Sequence, residues 1–510
     1  MIVFLLLVIV ILTGYVLNRR ALKYWSSRGI PQLSPSILVG DFGNVYRRLG
    51  VPETWSDLYE QSKHFPLVGL YLSVHPVLMI NDPELIRNVL GRDFEHFHDR
   101  GIDVNEKEDP LSGHMFALSG EKWRQLRSKL TQAFSSGRLK GMLPIVIQKA
   151  TVLQEYVERS SKCGKTLEMK DLSNRFLLDV ISSVAFGVEN DLINNPKDIF
   201  SVMVSRVLHP SLKNIMRLGC TFFFPKIKRT LGFKFIDQDV EDFFVNMVDQ
   251  TLEYREKNQV FRKDMMQLLI QLRNSGLISM DDDSWDVKVS DTNKNMTIYE
   301  VTAQMLLFIF AGFETSASTI SYCLFELSRN PDLQERAQSE IDSVFSKSNG
   351  EPNYESLAQL KFLEGCVFET LRKYPPLSFL NRECIKDYQV PGTDITVEKG
   401  TQVVISLLGL QRDPNFFPEP DRFNPNRFGE QGLKTDKPYL PFGFGPRGCT
   451  GIRMGLMITK MSLAMLLSKF EFRLASDDFM NKELKFDKST MTLSPVGGIN
   501  LVACLRETSR

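Results

Sequence analysis

Apolar residues run almost unbroken from Met1 to Leu17, interrupted only at Thr13, Gly14 and Tyr15, before Asn18-Arg19-Arg20 and Lys23. As a helix this run spans about 25 Å, slightly less than a bilayer core of about 30 Å. The positive charges follow the apolar run rather than precede it, and no small-x-small site comes after, which disfavours a cleaved signal peptide. The pattern predicts an uncleaved anchor over residues 1–22, with the rest of the chain on the cytosolic side.

Arg28-Gly29-Ile30-Pro31-Gln32-Leu33-Ser34-Pro35 reads as a stiff, turn-rich connector closing residues 23–35. The runs beginning at Val68 and Val77 predict short strands of a small sheet. From about Asp82 to Phe379 helical periodicity dominates, and strand-like pieces return at Thr401–Ile405 and Ile499–Ala503. No repeat or Gly/Ser linker divides the chain. Residues 36–510 are therefore expected to form one mainly α domain with small β-sheets near both ends.

Two helices stand out. Thr297-Ile298-Tyr299-Glu300 is a capping box, and Asn330-Pro331 stops the helix that it starts. That helix is about 50 Å long and apolar on nearly every face from Val301 to Gly312, which predicts a buried central position. The second, Gly451 to Phe470, carries Ile452, Met454, Leu456, Met457, Met461, Leu463 and Leu466.

Composition narrows the function classes. A formal charge of +1 and the lack of a basic tract with interleaved aromatics disfavour nucleic acid as a partner. The seven cysteines are scattered without CxxC spacing, which fits a reducing compartment and neither zinc nor a disulfide framework.

One cysteine is different. Phe442-Gly443-Phe444-Gly445-Pro446-Arg447-Gly448-Cys449-Thr450-Gly451 sets Cys449 in a glycine-rich bend just ahead of the second helix, where the dipole and free N–H groups favour a thiolate. The run Gly443-x-Gly445-x-x-Gly448 imitates a dinucleotide fingerprint, but Pro438 and Pro441 break the strand that such a fingerprint needs.

Inside the central helix lies Ala311-Gly312-Phe313-Glu314-Thr315-Ser316. Glycine in a helix interior costs about 1 kcal/mol relative to alanine, and a carboxylate in a buried helix costs more unless partnered. Ala311 and Gly312 leave room for a diatomic ligand. The Thr315 hydroxyl can bond the carbonyl four residues back, and Glu314 can relay protons from water. Elsewhere, Glu369-x-x-Arg372 places opposite charges on one helix face, and Trp123-x-x-x-Arg127 spaces an indole and a guanidinium as a clamp for a carboxylate. His96-x-His98 lacks a third ligand and reads as a surface loop. Asn295-Met296-Thr297 is a glycosylation sequon that a cytosolic body leaves unmodified. Phe222-Phe223-Phe224 with Lys226, Lys228 and Arg229 forms a candidate patch for the membrane interface.

Taken in order, these segments resemble the cytochrome P450 family over roughly residues 28–505. The cysteine loop matches Phe-x-x-Gly-x-Arg-x-Cys-x-Gly, and residues 311–315 match Ala-Gly-x-Asp/Glu-Thr. The resemblance implies the cytochrome P450 fold and haem b (iron protoporphyrin IX) with Cys449 as axial metal ligand. It implies Trp123, Arg127, Arg382 and Arg447 at the propionates, Phe442 beside the haem, and Glu314 and Thr315 in proton delivery. Glu369 and Arg372 then pair with Arg427, although Pro425-Asn426-Arg427-Phe428 departs from the family's Pro-Glu-Arg-Phe. Phe116, Phe308, Phe379 and Thr492 are implied for the substrate pocket. The segment Asp93 to Gly101 is similar to the animal microsomal type that includes insect detoxification enzymes.

The activity implied is oxygen insertion from O2 into a lipophilic small molecule at the endoplasmic reticulum membrane. Electrons come from NADPH through NADPH-cytochrome P450 reductase, with cytochrome b5 as a further donor. Lys122, Arg124, Lys129 and Arg453 form the expected docking face. A haem-thiolate isomerase or dehydratase of peroxides has little need of Glu314-Thr315, and a non-catalytic haem protein has none.

Overall fold

The structure is a computed structural model and describes residues 2–208, 217, 234, 236–282, 284–285, 295–348, 350, 352–428, 437–476 and 484–507. The Phe222–Phe224 patch lies outside the described residues.

Nine short strands occur among the described residues: β1 (Leu67–Leu72), β2 (His75–Ile80), β3 (Leu167–Glu168), β4 (Phe379–Glu383), β5 (Tyr388–Gln389), β6 (Thr396–Val397), β7 (Gln402–Ser406), β8 (Phe470–Leu474) and β9 (Asn500–Leu505). They form sheets of order β1-β2-β7-β4, β3-β9-β8 and β5-β6. In the first sheet β2 runs parallel to β7, and β7 runs antiparallel to β4 with Val403 opposite Arg382. Phe379 therefore opens a strand instead of ending the helical region. Leu380 and Arg382 point to the buried side of β4 while Phe379, Asn381 and Glu383 are only part-buried, the two-residue period of a pleated strand.

The connector is docked rather than free. Trp25 is buried, its indole Nε1 donates to Leu70 O at 3.0 Å, and Gly69 N donates to Pro31 O at 2.7 Å. A Cβ on Gly69 would stand 2.1 Å from the Trp25 ring, so the close approach needs glycine.

The expected long helix is Ile298–Arg329, opened by the capping box in which Thr297 and Glu300 bond each other's backbone N–H. It packs most extensively on the helix Met169–Ile181 and also crosses Ile452–Lys469, the helix that follows the cysteine. It is long and apolar enough by composition to cross a membrane, but two-thirds of its apolar window is buried inside the protein. Its buried positions run through one helical core, while Trp25, Trp55 and the first sheet belong to another.

Candidate active site

The cysteine loop is closed by three short hydrogen bonds: Gly443 N to Leu440 O at 2.9 Å, Gly448 N to Gly445 O at 2.9 Å and Cys449 N to Phe442 O at 2.7 Å. Gly445 sits at φ +70°, and a Cβ there would meet Leu90 O at 1.9 Å, which fixes the loop against residues 88–92. The helix Ile452–Lys469 begins directly after Gly451. The Cys449 side chain has an exposed area, yet protein encloses it enough for burial to raise the thiol pKa. It is thus accessible yet largely surrounded by protein. The Gly451 N–H, Arg127 and Arg100 act in the opposite direction. Burial outweighs them in sum, while the Gly451 N–H at the helix start acts in the expected direction, toward the thiolate.

Four guanidinium groups gather near Cys449. Arg127 Nη1 donates to Gly448 O at 2.8 Å. Arg447 donates to the carbonyls of His98 (2.7 Å), Met115 (3.1 Å), Phe116 (3.5 Å) and Leu118 (2.5 Å), and its guanidinium lies 3.9 Å from the centre of the Trp123 ring. Those bonds make Arg447 a brace between the cysteine loop and residues 98–118. Arg100 and Arg382 are differently placed: each has a buried Nε without a partner among the described residues. Burial, then neighbouring arginines, pull Arg100 and Arg447 down to about 9 and Arg382 to about 10. Asp99, 3.7 Å from Arg447, is shared with His98 at 2.7 Å and Gly120 N at 2.8 Å. Buried cations that repel one another and keep unsatisfied donors fit a ligand carrying two carboxylates. With Cys449 beside them, the donor set fits haem b. Arg100 was missed as a site residue because nothing in its local spacing separates it from a surface arginine.

The central helix presents another wall. Phe308, Ala311, Gly312 and Thr315 follow the i, i+3, i+4, i+7 spacing of one face and are part-exposed or exposed, whereas residues 316–328 are all buried. Phe134 links this wall to the cysteine helix. Its ring meets Phe308 edge-on at 5.9 Å, and a Cβ on Gly451 would lie 3.5 Å from it. Thr315 Oγ1 donates to Ala311 O at 2.6 Å, the back-bond expected from sequence. Gly312 differs: a Cβ there would press on Ile181 at 2.8 Å, so the glycine admits the crossing helix as well as opening the groove. Glu314 is held by Lys170 and Thr492.

Beneath the loop, Glu369 and Arg372 are fully buried and bidentate at 2.8 and 2.9 Å, with Arg427 Nε 3.2 Å from Glu369 Oε1. Asn426, at the position where the sequence departs from the family pattern, accepts from Arg336 at 2.9 Å. Of the pocket residues, Phe116 lies under Arg100 at 4.0 Å and Phe308 faces Phe134. Phe379 instead meets Trp55 at 5.3 Å in the sheet core, while Leu380 shares the Arg382 face and reaches within 4.0 Å of a Cβ built on Gly443. His96 and His98 are part-buried rather than on a surface loop, and the described residues contain no metal-ligating cluster. Lys122 and Arg124 carry carboxylate partners, Glu106 and Glu95.

This arrangement agrees with the comparisons to known proteins. The sequence pattern of the family Cytochrome P450 matches residues 37–499. The chain is similar to Cytochrome P450 6d3 of Musca domestica (39% identical, covering 99% of this chain and 99% of that protein). It is also similar to Cytochrome P450 6k1 of Blattella germanica (37%, covering 97% and 95%) and to Probable cytochrome P450 6d5 of Drosophila melanogaster (35%, covering 98% and 99%). The chain belongs to the cytochrome P450 family, which implies a haem held through a cysteine thiolate.

Proposed function

We propose that this protein is an NADPH-dependent monooxygenase acting on a lipophilic small molecule, with Cys449 as the haem ligand. The observation that carries this reading is the meeting of Cys449 with buried, under-satisfied arginines, beside the part-exposed Ala311–Thr315 face that Phe308 and Phe134 link to the cysteine helix. When bound, the haem supplies the activation of O2 and the transfer of one oxygen atom, the other leaving as water with two electrons from NADPH and two protons.

This chain's residues supply the rest. Arg100, Arg127 and Arg382 hold the propionates, with Arg447 and Trp123 bracing them. The Phe442 carbonyl fixes the Cys449 backbone. The Glu369–Arg372–Arg427 cluster keeps the loop in register. Thr315 offers a hydroxyl at the cavity wall, and Glu314 carries protons toward it from water. Phe116, Phe308 and Leu380 shape an apolar chamber that excludes bulk water.

The helix Ile2–Ala21 ends in Arg19 and Arg20, and Phe4 (72%), Leu12 (58%) and Leu17 (59%) are exposed to the surroundings. That supports an anchor in the endoplasmic reticulum membrane with the site in the cytosol. Lys129 and Arg453, with Lys122 and Arg124 around them, suit docking of an acidic reductase and of cytochrome b5. The test is reconstitution with reductase, NADPH and an alkoxycoumarin whose dealkylation releases a fluorescent phenol. Turnover should require all components and place one atom of labelled O2 in the aldehyde released with the phenol and the other in water; NADPH-independent turnover contradicts the reading.

A further inference from the structure

Glu314 belongs to the oxygen-handling motif, yet what holds it lies outside that motif. Its Oε1 accepts from Lys170 Nζ at 2.8 Å and from Thr492 Oγ1 at 3.2 Å. Among the described residues Oε2 takes no hydrogen bond, and the side chain stays 22% exposed. Lys170 is the second residue of the helix Met169–Ile181, and its Nζ also donates to Ser318 Oγ at 2.5 Å. One ammonium thus clamps positions 314 and 318, neighbours one turn apart on the central helix. Thr492 arrives from the C-terminal segment, where its carbonyl accepts from Thr490 Oγ1 at 2.8 Å.

Three elements distant in sequence therefore converge on a single carboxylate oxygen. A buried ammonium is stable only beside its counter-charge, so Lys170 and Glu314 fix each other. The pairing fixes one carboxylate oxygen, while the second stays open to water. A carboxylate with one oxygen pinned and one solvated can take up and return a proton without swinging freely.

We propose that Lys170 and Thr492 are positioning residues for the acid: they hold Glu314 with Oε1 fixed and Oε2 presented to water. This rests on the reading of Glu314 as the proton carrier. Thr492, expected from sequence as a pocket wall, then serves the acid rather than the substrate.

The test uses the full-length holoenzyme with reductase and the alkoxycoumarin. Lys170→Met should lower product formed per NADPH about fivefold, Lys170→Arg should restore it, and Lys170→Met with Glu314→Gln should be no worse than Glu314→Gln alone. A second readout is independent of turnover. In infrared spectra of the resting protein, the carboxylate stretch that Glu314→Gln removes should shift in Lys170→Met, because one oxygen loses its ammonium partner. Should Lys170→Met not accumulate, Thr492→Val leaves the ion pair intact and should lower the same ratio about twofold. Unchanged coupling in these variants beside a fall in Glu314→Gln overturns the assignment of Lys170 and Thr492. Unchanged coupling in Glu314→Gln overturns the reading of Glu314 itself.

Discussion

Arg372 and Gln411 exchange hydrogen bonds: Arg372 Nη1 donates to Gln411 O at 2.9 Å, and Gln411 Nε2 donates back to Arg372 O at 3.1 Å. The Gln411 Oε1 then accepts from Leu440 N at 3.1 Å, at the start of the cysteine loop. The buried ion pair thus reaches the loop through one amide side chain. Gln411→Ala should leave buried polar groups unpaired and cost about 1–3 kcal/mol. Breaking the pair itself with Glu369→Ala should cost about 3–5 kcal/mol. Thermal unfolding and haem content of the purified variants check both, and Gln411→Ala should lose haem before it loses its fold.

Arg100 should affect apoprotein and holoprotein in opposite directions. Arg100→Leu removes one buried cation from a self-repelling cluster, so the apoprotein should be as stable or more so. Haem should dissociate faster by about tenfold or more, the loss of a charge-assisted hydrogen bond. Urea unfolding of the apoprotein and transfer of haem to an acceptor globin separate the two effects.

His114 predicts an acid-labile fold. Burial pulls its imidazole down to about 4, and its Nδ1 accepts from Ala117 N at 3.3 Å. The unfolded chain binds that proton near pH 6.5 while the folded chain resists it, so stability falls as pH drops from about 6.5 toward 4. The loss reaches about 2 kcal/mol at pH 5. His114→Gln should flatten this part of the Tm-against-pH curve relative to the parent protein; parallel curves contradict it.

Phe379 and Leu380 should separate stability from binding. Phe379→Ala removes a ring from Trp55 and should cost about 2–3 kcal/mol, given its partial burial, with little change in the spectral shift on substrate binding. Leu380→Phe should alter which lipophilic compounds produce that shift and leave Tm nearly unchanged.

Thr315→Ala should keep haem and divert electrons. Product per NADPH should fall roughly tenfold, equivalent to one lost hydrogen bond to a charged group, while peroxide rises. An unchanged ratio contradicts a role for this hydroxyl.

Much of this was legible in the chain because the chemistry is encoded locally. The Thr297–Glu300 capping box, the Asn330-Pro331 stop and the loop around Cys449 each depend on neighbours within a few residues, and each forms where the spacing predicts. What escaped depends on contacts across hundreds of positions. Arg100 gains its meaning from Arg382 and Arg447, and Lys170 from Glu314. Trp25 becomes buried through Leu70, although its segment reads as a connector. Phe379, implied for the pocket by the family resemblance, has Trp55 as a ring neighbour, a contact with a residue far away in the chain that local spacing does not mark.

The central claim, that Cys449 is the axial thiolate of a haem, meets its most direct test in the absorption spectrum of the reduced protein under carbon monoxide. The intact protein should show the strongly red-shifted Soret band of a thiolate-ligated haem, and Cys449→Ala should lack it at equal protein concentration. Persistence of that band in Cys449→Ala, or its absence from haem-loaded, folded parent protein, would contradict the account.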